Sequence, residues 1–80
     1  MAAAVEEAKR AVLMLLDRRA PGATLCPSEA ARLLNPVEWR GAMPVVHAAV
    51  DAMRAEGRVS LSWKGKPLDA RDGPYRIGRG

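Results

Sequence analysis

The chain has no phenylalanine, one cysteine, one histidine, and only Trp39, Trp63 and Tyr75 as other aromatics. Without Phe, a core must be built from Leu, Val, Met and Ala, and in 80 residues it stays small. A domain of this size without cross-links is held by only about 3–5 kcal/mol. The single Cys26 has no partner for an internal disulfide, which fits a reducing, cytoplasmic setting. Cys26 and His47 fall short of the three or four ligands of a zinc site, so neither metal nor cofactor is expected. No stretch approaches the ~20 apolar residues of a membrane span. The opening MAAAVEEAKRAVLMLL carries acids too early for a secretory signal. A membrane partner is therefore not expected.

What is present is a chain with 49% hydrophobic residues, enough for one compact domain over residues 1–80. The net charge of +4 is unevenly placed. Residues 1–53 carry six bases and six acids, whereas residues 54–80 carry seven bases and three acids. The whole excess lies in the last third, which suggests an anionic partner at one end of the fold.

The hydrophobic period is helical first and alternating later. Over residues 3–19, Val5, Ala8, Val12, Leu15 and Leu16 share one side, with Met14 opposite. Pro21-Gly22 stops that helix. Thr24-Leu25 can form a short extended piece. A second helix over residues 27–34 follows, with Pro27 in its first turn and Ala30, Leu33 and Leu34 inward. Asn35, Pro36 and Glu38 read as a cap, a first helical position and a capping-box acid for one turn carrying Trp39. Pro44 should break that turn and open a longer helix over residues 44–56, closed by Gly57. In RVSLSW, Val59, Leu61 and Trp63 alternate with polar residues, and PYRIGRG alternates again. The two runs are expected to pair as an antiparallel hairpin across the KGKP turn and the LDARDG loop. The expected core is Val12, Leu16, Leu33, Val46, Val50, Met53, Leu61 and Ile77, each on the inward side of its own element.

The order is mainly α with a C-terminal β-hairpin, that of a winged helix-turn-helix domain. TLCPSEAARLL, then WRGAMPVV, then GRVSLSWKGKPLDARDGPYRIGRG resemble the small bacterial family of unknown function DUF3253. Its members run threonine–hydrophobe–Cys-Pro-Ser-Glu, then Trp-Arg, a helix, a Lys-Gly turn and an ending near Gly-Pro-hydrophobe-Arg. The likeness covers nearly the whole chain. It implies a winged-helix fold and no established activity. At position 47 the family pattern carries Arg where this chain has His47.

Cys26 is the one candidate nucleophile. A helix N-terminus can activate a thiol, but catalysis also needs a base, and no sequence cue joins His47 to it. Cys26 therefore reads as part of a helix start, no catalytic residue is expected, and the protein reads as a non-enzyme. The helix around residues 44–56 would be the recognition helix. Its outward face, Pro44, Ala48, Asp51 and Ala55, lacks the side chains that usually read bases. The basic hairpin is the better candidate for weak, largely non-specific nucleic-acid binding. Arg54, Arg58, Lys64, Lys66, Arg71 and Arg76 are its candidate phosphate contacts, with Arg40 and His47 at the flank. His47 reads more readily as solvated. Trp39 and Trp63 read as hydrophobic covers of the core rather than stacking platforms. The alternative is an interaction module or homodimer docking through Val45, Ala48, Ala52 and Ala55.

Overall fold

The computed structural model describes residues 2–80. Three helices, α1 (Ala2–Asp17), α2 (Pro27–Leu34) and α3 (Trp39–Ala55), precede three strands, β1 (Val59–Trp63), β2 (Lys66–Leu68) and β3 (Arg76–Arg79). The strands form one antiparallel sheet in the order β2-β1-β3.

α2 starts as its sequence suggests. Cys26 is the N-cap, Pro27 takes the first helical position, and the Glu29 carboxylate accepts the Cys26 backbone N–H at 2.8 Å. Asn35 does not open a capping box. Its side chain accepts the Glu38 N–H at 3.0 Å, but its own N–H is spent on the Ala31 carbonyl at 2.9 Å, so Glu38 has nothing to reach back to. Residues 36–38 form bends, and the helix begins at Trp39.

Pro44 does not break the third helix, contrary to expectation. α3 runs through it without interruption. Proline at the sixth helical residue removes one hydrogen bond, the one that would reach the Arg40 carbonyl. Arg40 and Pro44 are both exposed residues, while Val46, Ala49, Val50 and Met53 hold the same helix to the core. The far end closes as a Schellman motif. Arg58 N–H reaches Met53 at 2.9 Å, Gly57 N–H reaches Arg54 at 3.0 Å, and Gly57 has φ +75°.

β1 and β3 pair as expected, with Leu61 opposite Ile77. The hairpin has a further strand. β2 lies on the other side of β1, with Trp63 opposite Lys66, and the two-residue Lys64-Gly65 connection has positive φ at both positions, 52° and 80°. That backbone matches the right-handed twist of the flanking strands, which is why such turns favour Gly. Leu25 extends the sheet by an isolated bridge to Ile77, with bonds of 2.9 and 2.8 Å.

Seven of the eight expected core residues are buried: Val12, Leu16, Val46, Val50, Met53, Leu61 and Ile77. Leu33 is not, at 43% exposure. α2 packs on both α1 and α3, and the side that meets them carries Pro27, Ala30 and Ala31, small residues that let helices approach closely. Trp63 is a second correction. It ends β1 beside the tight turn, stands beyond the buried cluster, and is 38% exposed. Leu25 and Tyr75 join the core instead.

Candidate nucleic-acid interface

The basic residues of the last third meet very different fates. Arg76, half-buried on β3, donates from Nε to the Thr24 hydroxyl at 2.8 Å and from Nη2 to the Thr24 carbonyl at 3.1 Å. It ties the α1–α2 connection to the sheet and is engaged within the fold. Arg58 sits 3.3 Å from the Glu56 carboxylate. Arg71 is held by both carboxylate oxygens of Asp51, which brings the loop after β2 onto α3. Lys64 and Lys66, at the hairpin tip, and Arg54, on α3, are exposed and form no ion pair among the described residues.

The Asp51–Arg71 pair changes the character of α3. Asp51 lies in the outward face, between Ala48 and Ala55, both exposed. The hydrogen bond from Arg71 holds its carboxyl below the usual range, and the same bond raises Arg71. The acid that would repel phosphate is therefore neutralised by a cation of the hairpin. The partner-docking alternative also meets this pair, since Asp51 borders Ala48 and Ala55 on the helix, and Val45 is partly buried against the core.

His47 is not a solvated side chain. It is half-buried, and its Nδ1 lies 2.7 Å from the Tyr75 hydroxyl, the rings tilted by 52°. Burial pushes the Tyr75 phenol up to about 12. Burial, then the Arg71 charge, pushes His47 down, partly opposed by Asp51. Either neutral tautomer of His47 satisfies this contact: with Nδ1 bare the Tyr75 hydroxyl donates to it, and with Nδ1 protonated the ring donates to the phenol oxygen.

Arg40 lies where α3 begins, its guanidinium carbon 4.4 Å from the Trp39 ring centroid. Arg32 of α2, not singled out in the sequence, lies 4.5 Å from the same centroid. Trp39 itself is half-buried and packs against the core. Cys26 accepts a hydrogen bond from the Ser28 hydroxyl at 3.2 Å, and the His47 hydrogen bond goes to Tyr75 rather than to the thiol.

Among the described residues no helix is long and apolar enough to cross a membrane, and no group of three His, Cys, Asp or Glu side chains is placed to hold a metal ion. The sequence pattern of a family described as a protein of unknown function, DUF3253, matches residues 5–80. No curated protein matches the chain.

Proposed function

The chain belongs to the DUF3253 family, whose description assigns no activity, and we propose that it is a non-enzymatic winged-helix protein that binds nucleic acid weakly through its hairpin. The wing in this reading is the segment from Trp63 to Tyr75, projecting after α3. The Leu25 bridge to β3 supports the assignment, because it adds a short strand between the first two helices to the two that frame the wing. A cytoplasmic setting belongs to the same reading.

The observation that carries the proposal is the distribution of unspent charge. Lys64 and Lys66 sit together on the hairpin tip with no acidic partner among the described residues, and Arg71 cancels the acid on α3. Cations on a protruding turn neutralise phosphates without reading bases. The outward face of α3 adds only Arg54 to that set, so sequence preference is slight. The non-enzymatic reading is supported by Cys26, whose thiol is hydrogen-bonded to Ser28 among the described residues, while the His47 imidazole is engaged by Tyr75.

Titration of a labelled duplex tests this. The dissociation constant should fall at about 10⁻⁴–10⁻⁶ M at physiological salt and tighten as salt is lowered. Replacing Lys64 and Lys66 with alanine should weaken all sequences equally and flatten the salt slope by about two phosphate contacts. A chain that leaves duplex unbound even at low salt overturns the reading.

A further inference from the structure

We propose that Arg32 and Arg40, stacked on Trp39 where α2 gives way to α3, form a second phosphate-binding site that takes the sugar–phosphate backbone of nucleic acid. The inference rests on the nucleic-acid reading above and adds to it a contact outside the hairpin.

The geometry places two cations on one ring. Their guanidinium carbons lie 4.5 and 4.4 Å from the Trp39 centroid, so they are separated by no more than the sum of those distances. A guanidinium stacked on an aromatic uses its face. Its five N–H donors lie in its plane and stay free for the two oxygens of a phosphate. Neither the Arg32 nor the Arg40 side chain forms a hydrogen bond or an ion pair among the described residues. Glu29, one turn before Arg32, is committed to Arg19 and to the Cys26 N–H. Glu38, beside Trp39, pairs with neither arginine.

Two cations against one indole, with no acid paired to either, favour a bound anion. The N-cap of α3 is Glu38, whose charge offsets the positive end of that helix, so the two guanidiniums alone supply the attraction. The platform is fixed, because Trp39 packs on the core. That same packing argues against lipid as the ligand, since a membrane-anchoring indole must be free to leave the protein. Paired forks on a rigid base suit the repeated phosphates of a nucleic-acid strand.

The Trp63→Phe variant makes Trp39 the only tryptophan and so its own reporter. A short duplex at low salt should change Trp39 emission saturably, in step with the anisotropy of the labelled duplex. Arg32→Gln with Arg40→Gln should abolish that response, weaken binding about tenfold, and lower the salt slope by about two contacts. Arg32→Lys with Arg40→Lys should keep the slope and lose affinity, since charge remains and the planar fork does not. If duplex binds while Trp39 emission stays constant, or if the glutamine pair leaves affinity and slope unchanged, this site is overturned and the hairpin reading stands. If the intact chain binds no duplex, both fall. A response to phosphatidylserine vesicles without one to duplex overturns the nucleic-acid assignment.

Discussion

The guanidinium of Arg71 forks onto both carboxylate oxygens of Asp51, with Nε to Oδ1 at 2.8 Å and Nη2 to Oδ2 at 2.9 Å. The pair joins the loop after β2 to the C-terminal half of α3. Its direct weight in stability is small, about 0.2–1 kcal/mol for an exposed pair. Its larger effect is on the charge that α3 presents. Asp51→Asn removes the acid and releases Arg71, so duplex affinity should rise and the salt slope should steepen by about one contact. Arg71→Ala leaves the acid uncompensated, and affinity should fall. Binding isotherms that move in the same direction for both variants would contradict this account.

His47 and Tyr75 make stability depend on acid. In the folded chain His47 titrates below its ordinary 6.5, so as pH falls through 6.5 the unfolded chain takes the proton first and stability declines. Asp51 titrates below its ordinary 3.8 when folded, so a further loss begins as pH falls through that value. The melting temperature should therefore drop between pH 7 and pH 5, and His47→Gln should remove that step. Tyr75→Phe should cost about 0.5–1.5 kcal/mol for the lost hydrogen bond. Identical melting profiles for the native chain and His47→Gln across this range would show that the imidazole is not the group responsible.

Leu16 and Leu33 give opposite results from the same change. Leu16 is 2% exposed and packs in the central cluster, so Leu16→Ala should cost about 2–5 kcal/mol, enough to unfold a domain this small. Leu33 is largely free of the core, and Leu33→Ala should stay under about 1 kcal/mol. Chemical denaturation of the two variants decides it, and equal losses would mean that α2 faces the other way.

Cys26 stands where serine commonly stands, at the cap of a helix. Cys26→Ser should alter stability by less than about 1 kcal/mol and leave duplex affinity unchanged. The thiol should react with a disulfide reagent no faster than free cysteine at neutral pH. Reaction orders of magnitude faster would reopen the case for an enzyme.

Local chemistry made much of this fold legible. Pro27 and Glu29 mark the start of α2, Gly57 marks the end of α3, and alternation marks β1 and β3. The misreadings come where tertiary contacts outweigh local preference. Proline's bias against a preceding helical residue is weak beside the burial of Val46, Val50 and Met53 in a single rod, so α3 passes through Pro44. Eight residues of α2 hold too little period to separate Ala31 from Leu33, and only the close approach of α1 and α3 selects the smaller one. β2 is three residues long, below the length at which alternation is readable.

The candidate interface was less legible because the contacts that sort its arginines span the chain. Asp51 and Arg71 lie 20 residues apart, His47 and Tyr75 28, and Thr24 and Arg76 52. No spacing rule links residues so far apart. Charge counting found the basic end of the chain correctly, yet could not tell which cations were spent on the fold.

The sheet leaves one strand at each margin, and both are poor templates for strand-to-strand aggregation. β2 is short and exposed and carries Lys66 and Pro67, one a charge and the other unable to donate to a new ladder. On the other margin, Leu25 already occupies the backbone groups of Ile77. The arrangement leaves a small basic protein few free backbone groups through which copies could polymerise edge to edge when concentrated.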